Sequence, residues 1–126
     1  MKKRVLVVDD DPAVTGLFKS ALHDAAEFEV REENNGRFTL ESARDFQPDL
    51  IFLDRHLPGI DPDKVLSDLR SDSSLAGVPI VIITGGPKSG ARVDESNGEP
   101  WLYKPFFHGA LVNCARRMLK DSGSNY

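Results

Sequence analysis

The chain alternates short apolar runs with amphipathic stretches, and this alternation is the feature that most constrains its fold. The short runs are rich in valine, isoleucine and leucine, and they predict strands at residues 5–8, 28–31, 50–53, 80–83 and 101–103. Strands that are apolar on both faces and alternate with helices form a parallel sheet covered on each side. We therefore predict an α/β fold with a doubly wound sheet, whose functional cleft opens at the carboxyl ends of the strands.

The stretches between these strands predict helices. The first begins at Asp11-Pro12, because aspartate caps a helix well and proline suits its first position. The others are predicted at residues 37–46, 62–72 and 107–120, where apolar residues recur at helical spacing. Residues 85–100 contain four glycines, two prolines and almost no apolar residue. The helix expected between the last two strands is therefore predicted to be short or missing.

Composition excludes several classes of function. A length of 126 residues fits one domain. Its net charge of −4 argues against direct nucleic-acid binding, which normally needs a basic face. No apolar stretch approaches the roughly 20 residues that span a bilayer, and no export signal is evident. The single cysteine, Cys114, forms no internal disulfide and is predicted to lie in a helix core. We expect a cytoplasmic protein.

Polar residues follow the predicted strands at the points where the strands end. They are Asp9 and Asp10 after the first strand, Asp54 after the third, Thr84 after the fourth, and Lys104 with Pro105 after the fifth. In a parallel sheet these side chains converge on one edge. Three crowded carboxylates repel each other unless a cation neutralises them, and hard oxygen ligands suit Mg²⁺ better than Zn²⁺.

The converging groups fit phosphoryl transfer to a carboxylate. That reaction needs a nucleophile, a metal that offsets charge on the phosphoryl oxygens, and further donors for the remaining oxygens. Asp54 supplies the nucleophile, and Thr84 and Lys104 supply the further donors. Taken alone, Thr84 is also explained as a β-branched strand residue, and Gly85 and Gly86 as turn glycines.

Four stretches, VLVVDDDP, LIFLDRHLPGID, VIITG and LYKPF, resemble the signature stretches of response-regulator receiver domains in two-component signal transduction. They occur in the family's order, and the resemblance covers residues 3–120 apart from 85–100. It implies a flavodoxin-like, five-stranded parallel sheet of order 2-1-3-4-5. It also implies a receiver domain at residues 1–120, followed by a polar tail at 121–126.

The resemblance implies a Mg²⁺ site. Asp10 would bind the ion directly and Asp9 through a water. Asp54, the implied phosphoacceptor, would bind it through its carboxylate, and His56 through its main-chain oxygen. The His56 side chain lies where family members tune the hydrolysis of the aspartyl phosphate. By contrast, His23 and His108 are predicted to be surface residues.

The resemblance also implies phosphoryl ligands and a switch. Thr84 and Lys104 would hold phosphoryl oxygens, and the Lys104–Pro105 peptide bond would be cis. Trp101 stands where the family usually has tyrosine or phenylalanine, which moves inward as the residue equivalent to Thr84 shifts. The stretch GEPWLYKPF resembles a subgroup of the family in which the fourth helix is eroded. Trp101 and the eroded helix are both departures from the usual pattern of the family.

The resemblance implies a phosphorylation switch rather than an enzyme that acts on other molecules. A histidine kinase or phosphotransfer protein would donate the phosphoryl group, and a downstream protein or a fused domain would read the changed surface. One alternative is a pseudo-receiver, a binding module that works without phosphorylation. Another is a haloacid-dehalogenase-like phosphotransferase, but those enzymes place Asp-x-Asp after the first strand, whereas this chain places its best nucleophile, Asp54, after the third.

Overall fold

A computed structural model describes residues 2–85, 93–94, 101–103 and 108–123. Its strands are β1 (Lys3–Val8), β2 (Phe28–Glu33), β3 (Leu50–Asp54), β4 (Ile80–Thr84), β5 (Val93–Asp94) and β6 (Trp101–Tyr103). They form one sheet of order β2-β1-β3-β4-β6-β5. The predicted fold class and strand order are confirmed, with β6 as the predicted fifth strand. One feature was not predicted: β5 adds a two-residue edge strand that runs antiparallel to β6.

The described helices are α1 (Pro12–Asp24), α2 (Thr39–Phe46), α3 (Pro62–Ser71) and α4 (His108–Gly123). Three boundaries differ from the prediction, one of them the end of α3, which lies at Ser71 instead of residue 72. Residues at the predicted start of α2 form a 3₁₀ turn, Gly36–Phe38, and α4 continues past the predicted end at Lys120. Between β4 and β6 the described residues, 85 and 93–94, contain no helix. The rest of that segment lies outside the described residues.

Local capping explains where two of the helices begin. The Asp11 side chain accepts a hydrogen bond from Ala13 N at 2.9 Å, and Pro12 occupies the first turn of α1. Asp61 does the same for α3 through Asp63 N at 3.0 Å. An aspartate followed by proline both satisfies an amide and presets the backbone. The predicted start of α1 is therefore confirmed, as is the capping role of Asp11.

The sheet is buried on both faces, as the apolar strands predicted. One cluster packs α1 and α4 against the sheet, with the Phe18 and Phe52 rings 4.7 Å apart between centroids. The other packs α2 and α3 against the opposite face around Ile51 and Leu69. The predicted core stripe of α4 is confirmed, and Cys114 lies buried within it. Burying one large apolar side chain, such as Phe18 or Leu69, stabilises the folded state by about 1.5–3 kcal/mol.

Strand register determines which residues meet at the carboxyl edge of the sheet. β1 lies between β2 and β3, and Val8 is paired both with Glu33 and with Leu53. The residues that follow, Asp9 and Asp54, are therefore level with each other. The chain places β2 on one side of β1 and β3 on the other side. This reversal is the topological switch point, where α/β sheets open a cleft. None of the helices in the described part of the chain has the length and apolar character needed to cross a membrane.

Candidate functional site

Three carboxylates form a cluster at the carboxyl edge of the sheet. Asp9, Asp10 and Asp54 each offer an oxygen atom, and these atoms lie within 4.8 Å of one another. Asp9 is 1% exposed and Asp54 is 3% exposed, whereas Asp10 is on the surface. The structure therefore brings together the three acidic residues that the sequence predicted as metal ligands, with two of them buried and one facing solvent.

Backbone hydrogen bonds hold Asp9 in place from two directions. Its amide donates to the Glu33 carbonyl at 3.1 Å, which continues the pairing of β1 with β2 by one residue. Its Oδ1 accepts from the Asp11 amide at 2.9 Å, so the turn into α1 closes on the Asp9 side chain. These bonds fix the carboxylate before any ligand is present.

Asp54 is oriented by the loop that follows β3. The His56 amide donates to Asp54 Oδ1 at 3.2 Å, and the Arg55 amide donates to the Ile83 carbonyl at 2.9 Å. The His56 residue itself is exposed and Leu57 is buried, so the loop turns back into the core directly after the site. This arrangement presents the carboxylate towards Asp9 and Asp10 rather than towards bulk solvent.

That loop is shaped by two glycines. Gly59 has φ +68°, a left-handed conformation that side chains other than hydrogen rarely adopt. Gly36, in the 3₁₀ turn, approaches Leu57 so closely that a Cβ there would lie 2.8 Å from Leu57 Cδ1. The loop after Asp54 is therefore packed directly against the backbone at Gly36.

Thr84 lies next to the acidic cluster in the register of the sheet. Asp54 is paired with Ile83, so Thr84 is one residue further along β4, and it is 1% exposed. A Cβ built on the next residue, Gly85, would meet no atom of the described residues within 4 Å. Thr84 is therefore a buried hydroxyl residue at the same edge of the sheet as the acidic cluster.

The remaining predicted site residues follow β6. Tyr103 is paired with Thr84, and Lys104 is the next residue in the chain. Lys104 and Pro105 lie outside the described residues, as do Gly86 and the side chain of Trp101. Their predicted roles, including the cis peptide bond and the switch, therefore stay predictions.

Residues outside the predicted site behave as expected. His23 and His108 are exposed, which confirms their placement on the surface. The sequence pattern did not point to two residues near the site, Asn34 and Thr15. The side chain of Asn34 donates hydrogen bonds to the Asp9 carbonyl at 2.8 Å and to Thr15 Oγ1 at 3.0 Å. No local sequence pattern marks these residues, because Asn34 is 25 positions from Asp9 and 19 positions from Thr15 along the chain.

The donor set fits a hard divalent cation. Carboxylate oxygens from three residues at this spacing repel each other, and a cation among them converts the repulsion into attraction. The exposed position of Asp10 leaves one side open for water, which Mg²⁺ retains when it binds proteins. Asp9, Asp10 and Asp54 are thus the described residues best placed to hold such an ion.

Comparisons with known proteins agree on the family. A family model described as the response regulator receiver domain matches residues 5–116. The chain is 35% identical over 125 residues to the DNA-binding response regulator MtrA of Mycolicibacterium smegmatis, covering 95% of this chain and 52% of MtrA. It is 27% identical over 124 residues to the polar-differentiation response regulator DivK of Brucella anthropi, covering 97% of this chain and 100% of DivK.

A solved structure gives the same result. The chemotaxis response regulator CheY4 of Vibrio cholerae matches with a TM-score of 0.81 and 26% identity, over 94% of this chain and 100% of CheY4. The chain spans about half the length of the MtrA relatives that it matches. From the sheet order, the acidic cluster at its carboxyl edge and the family match, we conclude that the chain belongs to the response-regulator receiver domains, the signalling modules of two-component systems.

Proposed function

We propose that the chain accepts a phosphoryl group on Asp54 with Mg²⁺ bound beside it, and that phosphorylation changes a surface that a partner recognises. The observation that carries this proposal is the meeting of the Asp9, Asp10 and Asp54 oxygens within 4.8 Å of one another at the switch point of a receiver sheet. A buried carboxylate with two acidic neighbours is poorly suited to a purely structural role, because the cluster costs electrostatic energy in the folded state.

In the proposed reaction, an Asp54 carboxylate oxygen attacks the phosphorus of the donor. A new P–O bond forms to Asp54 as the bond from phosphorus to the leaving group breaks, and the leaving group keeps that electron pair. The His56 amide, 3.2 Å from Asp54 Oδ1, holds the nucleophile in one orientation. A bound Mg²⁺, held by Asp9, Asp10, Asp54 and the His56 main-chain oxygen, would offset charge on the phosphoryl oxygens.

Thr84 and Lys104 are proposed to hold the remaining phosphoryl oxygens. Thr84 is buried one residue beyond the partner of Asp54 on β4. Lys104 follows Tyr103, the residue paired with Thr84, so the register favours its arrival at the same edge. A shift of Thr84 towards the phosphoryl group, followed by movement of Trp101, is the proposed switch.

We further propose that a histidine kinase or phosphotransfer protein in the cytoplasm supplies the phosphoryl group, and that a downstream protein or a fused domain reads the result. MtrA is named a DNA-binding regulator, but the chain spans only 52% of it. With a net charge of −4, we assign no direct nucleic-acid contact to this chain. We retain residues 1–120 as the proposed extent of the receiver domain.

The proposal is tested by incubating the protein with acetyl phosphate and Mg²⁺ and measuring its intact mass. We expect a gain of one phosphoryl group per chain, and no gain in Asp54→Asn, because the amide keeps the shape of the side chain but is not a nucleophile. Asp45→Asn is the matched control: it makes the same change at an exposed carboxylate and should be phosphorylated like the wild type.

Two results would contradict the proposal. Undiminished phosphorylation of Asp54→Asn would remove Asp54 from its role. A folded wild type that gains no phosphate, from acetyl phosphate or from a phosphohistidine donor, would favour a pseudo-receiver. Release of many equivalents of phosphate per chain from a small substrate would instead indicate a phosphatase.

A further inference from the structure

We propose that Asn34 is a positioning residue for the metal site, and that Thr15 and Glu32 hold it in place. The inference rests on the proposed function, since it assigns to these three side chains the task of fixing the Asp9–Asp10 turn for Mg²⁺. The proposed chemistry at Asp54 does not involve these side chains, and neither does the pattern of polar residues after the predicted strands. Thr15 lies on α1, Glu32 on β2 and Asn34 just after β2.

The first step is the contact between Asn34 and Asp9. The Asn34 side-chain nitrogen lies 2.8 Å from the Asp9 carbonyl oxygen and 3.0 Å from Thr15 Oγ1. A carbonyl oxygen only accepts, so the amide must present its NH₂ group here, and each of its two hydrogens has an acceptor. Asn34 therefore bridges the end of β1 and the first turn of α1.

The second step is the support behind that bridge. The Thr15 hydroxyl donates to Glu32 Oε2 at 2.8 Å while accepting from Asn34, and Lys19 Nζ lies 3.7 Å from the other Glu32 oxygen. Thr15 is fully buried. A hydroxyl that donates to a carboxylate becomes a better acceptor, so each bond in this chain strengthens the next.

The third step connects the bridge to the metal site. The Asp9 carbonyl belongs to the peptide unit that joins Asp9 to Asp10, and a planar peptide unit moves as one body. The Asp9 amide is already fixed by the Glu33 carbonyl at 3.1 Å. When Asn34 also holds the Asp9 carbonyl, the backbone of Asp10 is fixed. The point of attachment of the exposed Asp10 side chain is then fixed as well.

Such control matters because metal ligands must be held within about 0.5 Å of productive geometry. Asp10 is exposed, so core packing does not restrain its side chain. Groups that hold metal ligands through a further hydrogen bond typically change metal affinity by about 10- to 100-fold when removed. We expect the low end of this range, roughly tenfold weaker Mg²⁺ binding, because Asn34 acts through the backbone rather than on a ligand atom.

The experiment measures Mg²⁺ affinity by calorimetry in metal-stripped protein. The variants are Asn34→Ala, which removes the bridge, and Thr15→Val, which keeps the shape of Thr15 but cannot support Asn34. Thr39→Val is the matched control, since Thr39 is also a buried helical threonine, but its hydroxyl donates to the Gly36 carbonyl at 2.7 Å and not to Glu32. Thr15→Ser restores the hydroxyl in the same place.

We expect Asn34→Ala and Thr15→Val to bind Mg²⁺ roughly tenfold more weakly, and Thr39→Val and Thr15→Ser to bind like the wild type. At saturating Mg²⁺ the rate of phosphorylation by acetyl phosphate should recover in both weakened variants, because their nucleophile is intact. The double variant should bind no more weakly than Asn34→Ala alone, since both changes break one chain of bonds.

Wild-type affinity in both Asn34→Ala and Thr15→Val would overturn the inference and leave the proposed function standing. Equal weakening in Thr39→Val would also overturn it, because the effect would then reflect general loss of stability. If Asn34→Ala fails to fold, the contrast between Thr15→Val and Thr15→Ser decides the question. A wild type that binds no Mg²⁺ would refute the proposed function itself.

Discussion

The acidic residues of this protein fall into two regions that treat charge in opposite ways. Away from the site, carboxylates lie against arginines, as in the pairs Asp45–Arg31 at 2.7 Å, Asp72–Arg44 at 2.6 Å and Glu27–Arg116 at 2.5 Å. At the carboxyl edge of the sheet, three carboxylates instead lie against one another. The paired acids lie against cations of the chain itself, whereas we propose that the clustered acids hold a cation supplied from solution.

Two of these arginine-paired carboxylates, Glu27 and Asp72, have lowered pKa values. The Arg116 guanidinium beside Glu27 lowers the pKa of that carboxyl, and Glu27 in turn raises the pKa of Arg116. Hydrogen bonds from the Ser74 hydroxyl, and then from Arg44, lower the pKa of Asp72 to about 2. In these pairs the carboxylates are stabilised in their charged form without any ligand.

The largest expected difference between the regions is their response to Mg²⁺. At a Mg²⁺ concentration ten times the dissociation constant, the metal should raise the free energy of unfolding of the wild type by about 1.4 kcal/mol. Asp10→Asn should lose that increment, and in metal-free buffer it should be at least as stable as the wild type, because one repulsive charge is gone. Urea unfolding with and without Mg²⁺ measures both effects. If the urea unfolding curves of the wild type are the same with and without Mg²⁺, the expected difference between the two regions is refuted.

The same change at a paired acid should act in the opposite direction. Asp45→Asn removes the partner of Arg31, so we expect the free energy of unfolding to fall by less than about 1 kcal/mol, and less still in high salt. Its stabilisation by Mg²⁺ should equal that of the wild type. A Mg²⁺ response that Asp45→Asn abolishes would mean that the metal binds outside the cluster.

The smallest expected effect is a pH dependence at Asp72. Because folding lowers its pKa from 3.8 to about 2, the charged form of Asp72 stabilises the fold above the unfolded pKa. That stability is lost as the pH falls through the folded pKa. The difference in unfolding free energy between the wild type and Asp72→Asn should therefore shrink between about pH 4 and pH 2. A difference that stays constant over this range would show that the Arg44 and Ser74 contacts do not stabilise the charged form.

Much of the fold was predictable because its signals are local. Asp11 and Pro12 determine the start of α1, and the apolar runs of the central strands determine the sheet. The prediction stopped β2 two residues early, at Arg31, whereas the strand continues to Glu33. Those last residues are charged because β2 is an edge strand, and their side chains bond to the helices instead of entering the core: Glu32 to Thr15 and Glu33 to Ser42.

The candidate site was predictable only in part. Asp9, Asp10 and Asp54 were found because each follows a strand, and the topology brings strand ends together. Asn34 follows an edge strand among other polar residues, so nothing in its neighbourhood distinguishes it from a turn residue. Its role depends on two contacts with distant residues, which a local pattern does not encode. The short edge strand β5 was missed for a similar reason, because two residues show no alternation.

The close packing at Gly36 has a mechanical consequence. The loop after Asp54 touches this backbone through the buried Leu57 side chain, and Gly36 adds no side chain of its own that could change rotamer and take up a displacement. Tightly packed contacts pass strain on instead of absorbing it. Phe38, two residues further in the same 3₁₀ turn, is 47% exposed. A displacement of the loop after Asp54 would therefore press on the backbone at Gly36 and on the 3₁₀ turn that carries Phe38, and the absence of a single methyl group keeps that linkage stiff.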